Sequence, residues 1–232
     1  MPMTVSQIVD KQIKQWEHRS AILSSSLKRE KFFPIITISR EYGALGAALA
    51  EKLEKTTGFE VWDKKLLGAI SEDLGSDQKL METLDERRKQ AIEDAVSSLI
   101  GKIQTNVNYI ESLIRVVKTI EEHGRGIIVG RGANYIGDKP DNLHIRLVRP
   151  LKSRVEHIAK KENMTAHDAR NLVKKKDKER DEYIKQFFLK GLNNASDFDL
   201  VINTDTFSLD EVETMVIDAY KIKTGQTIPA KN

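Results

Sequence analysis

The chain alternates short apolar runs with longer stretches in which apolar residues recur every three or four positions. Residues 4 to about 28 have this helical spacing, so they predict a helix at the start of the chain. The run IITIS at 35–39 follows Pro34, is rich in β-branched residues, and leads through EYGALG into the helical pattern ALAEKLEKT. This order predicts a strand, a glycine-containing turn and a second helix.

Four more apolar runs predict strands, and helical patterns separate them. They are FEVW at 59–62, GIIVG at 126–130, LHIRLV at 143–148 and DLVIN at 199–203. Strands that alternate with helices in this way predict an α/β fold with a five-stranded parallel sheet covered on both faces. A ligand is then expected at the carboxyl ends of the strands.

The helical stretches predict how the sheet is covered. Residues from about 64 to 123 have a helical pattern with breaks near Gly75 and Gly101, and a helical insertion of this length suits a region that covers a substrate. The segment LKSRVEHIAKKEN predicts an amphipathic helix after the fourth strand. The last helix is expected to start at Ser208, because Glu211 three residues later completes a capping box.

Composition places the chain among globular proteins. Its 232 residues are 39% hydrophobic and 31% charged, and no apolar run approaches the roughly 20 residues that span a bilayer. The sequence has no cysteine, which excludes disulfides, thiolate metal sites and cysteine nucleophiles. The N-terminus lacks the pattern of a secretory signal, so we expect a cytoplasmic protein without a membrane partner.

Charge gives little information about partners. The net charge of +3 is too small to predict nucleic-acid binding, and acidic and basic residues are interleaved along most of the chain. The dense basic tract from Lys174 to Arg180 is interrupted by Asp177 and Glu179. It predicts either a solvated helix face or a group of cations that covers a phosphate.

The turn after the first strand is the most informative candidate site. A glycine turn that leads into a helix presents backbone N–H groups and the positive end of the helix dipole, and such a turn can bind an anion. A strict P-loop adds a lysine and a hydroxyl, but Gly46 and Ala48 stand at those positions here. The alternative is a turn whose glycines serve only close packing between the helix and the sheet.

Arginines of two other segments could complete a phosphate site. Arg131 follows a buried strand, so its guanidinium would project from the carboxyl edge, where it could bind a phosphate or form a structural salt bridge. Asp177 and Arg180 share one face of a predicted helix, which could be a lid over a phosphoryl group or simply carry a surface ion pair. The five histidines are scattered, and their spacing does not predict a metal site.

Several of these segments together resemble the cytidylate kinase-like family. They are ITISREYG, VWDKKLL, IIVGRGANYI, HIRLVRPLKSRVEHIAKKENMT, VKKKDKERDEYIKQFF and SDFDLVINTD, which occur in the family's order between about residues 35 and 222. The resemblance implies a P-loop three-layer α/β/α fold with a helical region over a monophosphate and a lid over a triphosphate. It also implies transfer of the ATP γ-phosphoryl group to CMP or dCMP with Mg²⁺.

The resemblance also implies roles for individual residues. Contacts with the nucleotides or their phosphates would come from Arg40, Gly43, Ala44, Gly46, Ala47, Asp63 and Asp177. The catalytic residues would be Arg131, which faces the monophosphate, with Arg154 and Arg180, which neutralise the transferring group.

The loop departs from the family's usual G-S-G-G-R, because Leu45 replaces a glycine, Ala47 replaces the arginine, and the serine is missing. Three functions therefore stay open: a nucleoside-monophosphate kinase, a nucleotide-binding sensor or interaction module with impaired catalysis, or a kinase of the same fold that phosphorylates some other small acceptor.

The expected organisation is an N-terminal helical extension at 1–33, a kinase-like domain at 34–224 and a tail at 225–232. The domain would contain the helical insertion at about 64–123 and a lid at about 170–195. The expected partners are nucleotides, and a homodimer could form through the N-terminal helix.

Overall fold

The protein was analysed as a computed structural model, which describes residues 3–25, 32–101, 107–191 and 194–228. The strands are β1 Ile36–Arg40, β2 Glu60–Trp62, β3 Gly126–Val129, β4 Leu143–Val148 and β5 Leu200–Asn203. The helices are α1 Val5–Ser25, α2 Gly46–Thr57, α3 Lys64–Glu72, α4 Ser76–Met81, α5 Glu86–Ile100, α6 Val107–His123, α7 Ala133–Ile136, α8 Leu151–Glu162, α9 Ala166–Phe188 and α10 Leu209–Thr224. A 3₁₀ turn at Ala195–Asp197 precedes β5.

The five strands form one parallel sheet in the order β2-β3-β1-β4-β5. β1 lies in the centre, where Ile36 pairs with Ile127 of β3 on one side and with Leu143 of β4 on the other. This arrangement confirms the predicted parallel sheet and all five predicted strands, whose ends differ from the prediction by at most one residue. Continuous apolar runs identified these strands because helices cover both faces of the sheet.

Neighbouring residues of the strands contribute to different cores, as the alternation of side chains along a strand requires. On one face, Ile128 packs with Trp62 and with side chains of α3 and α6. On the other face, Ile127 packs with side chains of α2 and α10. The sheet is therefore the middle layer of a three-layer α/β/α fold.

The region from 64 to 123 consists of α3, α4, α5 and α6. The predicted break near Gly75 is confirmed, since Gly75 precedes α4 with φ of 81°. The predicted break near Gly101 is also confirmed where α5 ends, although residues 102–106 lie outside the described part. A further break before α5 was missed, although Asp85 caps this helix by accepting a hydrogen bond from the Arg88 amide at 3.0 Å.

Helix α1 packs its apolar face against the rest of the chain. Trp16 is 1% exposed and stacks on His123 at the end of α6, with ring centroids 3.9 Å apart. The Glu60 carboxylate of β2 accepts hydrogen bonds from Gln12 and Arg19, at 2.6 and 3.0 Å. This helix therefore covers the edge of the sheet at β2. None of the described helices combines the length and the hydropathy of a membrane span.

The predicted capping box of the last helix is present. The Ser208 side chain accepts from the Glu211 amide, and the Glu211 carboxylate accepts from the Ser208 amide. Three predicted segments extend beyond the described residues. The expected extension 1–33 includes residues 1–2 and 26–31, the expected lid includes 192–193, and the expected tail includes 229–232, all of which lie outside it.

Candidate functional site

A cavity of about 260 Å³ lies at the carboxyl ends of β1 and β3, under α9. This is the edge of the sheet where ligands of open α/β sheets bind. Five basic side chains from four parts of the chain line it, namely Arg40, Lys64, Arg131, Lys176 and Arg180. The acidic residue in the lining is Glu179, which forms an ion pair with Lys176 at 2.8 Å.

Arg40 ends β1, and its side chain lies across the start of the turn. A Cβ atom at Gly46 would lie 2.8 Å from the Arg40 Cγ, and one at Gly130 would clash with the Arg40 Nη1. Gly130 also has φ of 82°, a conformation that favours glycine. Both glycines therefore leave the space that the Arg40 side chain occupies. Burial, followed by the charge of Arg180, lowers the pKa of Arg40 to about 9.

Arg131 lies between two aromatic rings. Its guanidinium carbon is 5.6 Å from the centre of the Tyr109 ring and 5.5 Å from that of Tyr183. Its Nε is buried without a hydrogen-bond partner, and within the described residues no carboxylate forms an ion pair with it. The salt-bridge interpretation therefore has no support in the described structure. Aromatic faces hold this cation in place without neutralising it.

Lys64 begins α3 and faces the same cavity, although the sequence did not identify it as a site residue. Its pKa is lowered, first by burial and then by the charges of Arg131, Arg180, Lys176 and Arg40. The signal in the sequence was its place directly after β2, at the edge where ligands bind. The neighbouring cations create a region of positive potential that an anion would relieve.

Arg180 connects α9 to the end of β1. Its Nη1 donates to the Arg40 carbonyl at 3.0 Å, and its guanidinium lies 5.3 Å from the centre of the Tyr42 ring. Burial lowers the pKa of Arg180, against the raising effect of Asp177. Asp177 and Arg180 do not pair with each other as a surface ion pair. Both instead contact the loop that follows β1.

Asp177 and Arg154 hold this loop from behind the cavity. One Asp177 oxygen accepts from the Tyr42 amide at 2.8 Å, and the other pairs with the Arg154 Nη1. Arg154 is 7% exposed and also donates to the Arg149 carbonyl at 2.8 Å. Neither side chain lines the cavity. Their expected contacts with nucleotide phosphates stay predictions, whereas their contacts with the loop are present.

The glycines of the loop have packing reasons for their presence. Gly43 has φ of 89°, and a Cβ there would lie 3.1 Å from the Arg154 Cβ on α8. The Ala44 side chain is fully buried in the core, and its amide donates to the Glu41 carbonyl at 3.2 Å. Ala47 is exposed on the first turn of α2. Gly43, Ala44, Gly46 and Ala47 therefore lie beside the cavity and do not line it.

Leu45 has a backbone conformation that usually favours glycine. It precedes α2 with φ of 62° and ψ of 16°, the left-handed conformation that costs a residue with a Cβ about 1–2 kcal/mol. A glycine adopts this conformation freely. The turn thus keeps the backbone shape expected of a glycine loop although a leucine occupies the position.

Asp63 caps α3 at the mouth of the cavity. Its Oδ1 accepts from the Leu66 amide at 2.8 Å, and its charge raises the pKa of Arg40. The structure therefore brings Arg40, Arg131 and Arg180 together in the cavity and places Asp63 at its border. Lys64, Lys176 and Tyr183 also line the cavity. The sequence did not identify Lys64 and Tyr183 as site residues, because the packing of α3 and α9 cannot be inferred from local sequence.

Comparison with known proteins agrees with this geometry. The sequence model of the cytidylate kinase-like family matches residues 35–206. A uronate isomerase of Corynebacterium glutamicum is 26% identical over 188 residues, which are 79% of this chain and 35% of that protein. The chain therefore spans about a third of the length of this relative, and the relative's activity is not transferred to it.

Solved structures show the same fold. A crystal structure of an uncharacterized protein from Eubacterium ventriosum is 22% identical, with a TM-score of 0.65 over 82% of this chain and 98% of that one. The shikimate kinase of Acinetobacter baumannii is 11% identical, covering 86% of this chain and 95% of that one. The TM-score of this pair is 0.42. The fold, the cationic cavity and the family match over 35–206 together show that the chain belongs to the cytidylate kinase-like family.

Proposed function

We propose that the protein is a nucleoside-monophosphate kinase that transfers the ATP γ-phosphoryl group to an acceptor nucleotide. The family resemblance favours CMP or dCMP as this acceptor. The observation that carries this proposal is the group of five basic side chains around one cavity at the carboxyl edge of the sheet. Phosphoryl transfer depends mainly on positioning and on neutralisation of charge, so such a group suits its transition state.

Each side chain of the cavity has a role in this proposal. Arg131, whose guanidinium has no carboxylate partner, would bind the acceptor phosphate by charge-assisted hydrogen bonds. Arg40 would contact the donor phosphates from the end of β1, and Arg180 would neutralise charge on the group in transfer. Helix α9 would act as the lid at about 170–195. Arg154 and Asp177 would support this arrangement through their contacts with the loop.

A coupled assay of ADP formation tests the proposal, with ATP as donor and the common ribo- and deoxyribonucleoside monophosphates as acceptors. We expect turnover with at least one acceptor, greatest with CMP or dCMP. The Arg180→Ala variant should lose most of it, because one cation on a transferring phosphoryl group contributes orders of magnitude in rate. ADP formation at background level with every acceptor would refute the kinase proposal.

A second candidate is a nucleotide-binding sensor with impaired catalysis. The loop favours it, because the Tyr42 and Ala44 amides already bond within the chain and no lysine or hydroxyl replaces them. Such a protein would bind nucleotides in calorimetry without turning them over. Measurable turnover removes this candidate.

We also propose domain boundaries, a route to a homodimer and a cellular location. The domain would span 34–224, with 1–33 as an added helical extension. Helix α1 uses its apolar face within its own chain, so a homodimer through it would have to form through its exposed polar face. We also propose a cytoplasmic location, in keeping with nucleotides as partners, and fractionation of cells tests it.

A further inference from the structure

Members of the cytidylate kinase-like family usually use Mg²⁺, and this ion requires suitable ligands around the cavity. Mg²⁺ takes oxygen ligands in octahedral geometry, and P-loop enzymes supply a Ser or Thr hydroxyl and an aspartate. In this loop Ala48 stands at the hydroxyl position. Across the described ranges, no group of three acidic or histidine side chains could hold a metal ion.

The carboxylates near the cavity are engaged with partners of this chain. Both oxygens of Asp177 are bonded, to the Tyr42 amide and to Arg154. Glu41 accepts from the Arg149 amide at 2.8 Å.

Two further carboxylates lie closer to the cavity mouth. Glu179 pairs with Lys176, and Asp63 accepts from the Leu66 amide. Glu41, Glu179 and Asp63 each use one carboxylate oxygen in these contacts, and among the described residues no three such groups converge as metal ligands. The residues present therefore do not fit a metal held by the protein alone.

Most of the charged side chains that line the cavity are cations, which cannot bind a metal ion. Lys64, Lys176 and three arginines line about 260 Å³, and their charges are opposed within the lining by Glu179 alone among the described residues. Within the described residues, neither Lys64 nor Arg131 forms an ion pair with a carboxylate. Glu179 pairs with Lys176, and the charges of Asp63 and Asp177 offset part of those of Arg40 and Arg180. The excess of positive charge that remains favours an anion in the cavity.

We propose that this cavity selects the metal-free form of its polyphosphate ligand, and that Lys64 and the arginines neutralise the charge that Mg²⁺ neutralises elsewhere. This inference rests on the proposed function for its ligand class, a nucleoside triphosphate. Chelation by Mg²⁺ removes two negative charges from such a ligand and adds a hydration shell. Both changes weaken its attraction to a cavity whose lining holds five cations and one carboxylate.

Calorimetric titration of the full chain with ATP tests this inference, once with excess EDTA and once with excess MgCl₂ at equal ionic strength. We expect Kd to be about fivefold or more lower in EDTA, since a pair of added ligand charges interacts with several cations at short range. In the Lys64→Met variant this ratio should shrink. Lys65→Met is the matched control, because Lys65 is exposed beside it and does not line the cavity.

The outcomes separate the inference from the kinase proposal. An equal or lower Kd in MgCl₂ overturns the inference, even if the coupled assay shows turnover. Tighter binding in EDTA supports it, even if the coupled assay shows none. An unchanged ratio in Lys64→Met overturns the role of Lys64, and the absence of ATP binding in both buffers overturns the inference together with the proposed ligand class.

Discussion

The Arg180 Nη1 donates to the main-chain carbonyl of Arg40 at 3.0 Å, which joins helix α9 to the end of the central strand. Two arginines that the sequence separates by 140 positions thus meet at the edge of the cavity. Burial lowers the pKa of both arginines, and the charge of Arg180 lowers that of Arg40 further. The site is therefore organised around positive charge.

Arg131→Ala should weaken the binding of a nucleoside monophosphate by about 1.5–3 kcal/mol, the range for a hydrogen bond to a charged group. The fold should persist, since Arg131 forms no ion pair within the described chain. Calorimetry with CMP measures the loss, and circular dichroism checks the fold. Arg87→Ala is a suitable control because Arg87 is exposed on α5. Unchanged affinity would make Arg131 a structural residue.

Asp177→Ala should lower the free energy of unfolding by about 2–3 kcal/mol, because it removes one of the two carboxylate partners of the buried Arg154 guanidinium and the acceptor of the Tyr42 amide. Urea denaturation measures this change. Glu179→Ala breaks an exposed ion pair on the same helix and should cost less than about 1 kcal/mol. Equal effects of the two substitutions would contradict the role of Asp177 in holding the loop.

The sequence predicted the sheet because buried parallel strands are continuous apolar runs bounded by turns. It also predicted Arg131 at the carboxyl edge, whereas Arg40 and Arg180 were expected near the phosphates from the family resemblance. It could not predict Lys64 or Tyr183 in the site, because their positions depend on how α3 and α9 pack. Asp177 was expected to face a ligand. Its bond to the Tyr42 amide was not foreseen, because this contact also depends on how α9 packs.

Acid should destabilise the protein through His123. Burial, followed by the charges of Arg19 and Arg88, lowers its pKa to about 3, whereas an exposed histidine titrates near 6.5. The unfolded chain therefore binds a proton below about pH 6.5 that the folded chain does not accept until about pH 3. Stability is retained above this window and falls within it as the pH decreases, by at most about 1.4 kcal/mol per pH unit.

Urea denaturation between pH 7 and pH 4 tests this prediction. His123→Gln removes the titrating group and should give a shallower loss of stability toward acid. His167→Gln serves as the control, because His167 is exposed on α9. The same slope for His123→Gln and for the unaltered chain would contradict the assignment.

Binding of ATP should protect α9 from hydrogen exchange. The basic side chains from Lys174 to Arg180 repel one another and the cations of the cavity, and a polyanion relieves this repulsion. We expect slower exchange of residues 170–190 with ATP, and weaker binding at high salt. Equal protection with and without ATP would mean that this tract is an ordinary solvated helix face.

Soaking a crystal of the protein with ATP and CMP shows whether their phosphates bind in the cavity. We expect phosphate density between β1 and β3, within hydrogen-bond distance of Arg131 and Arg180. Nucleotide density elsewhere on the molecule, with water alone beside these two arginines, would refute the proposed site.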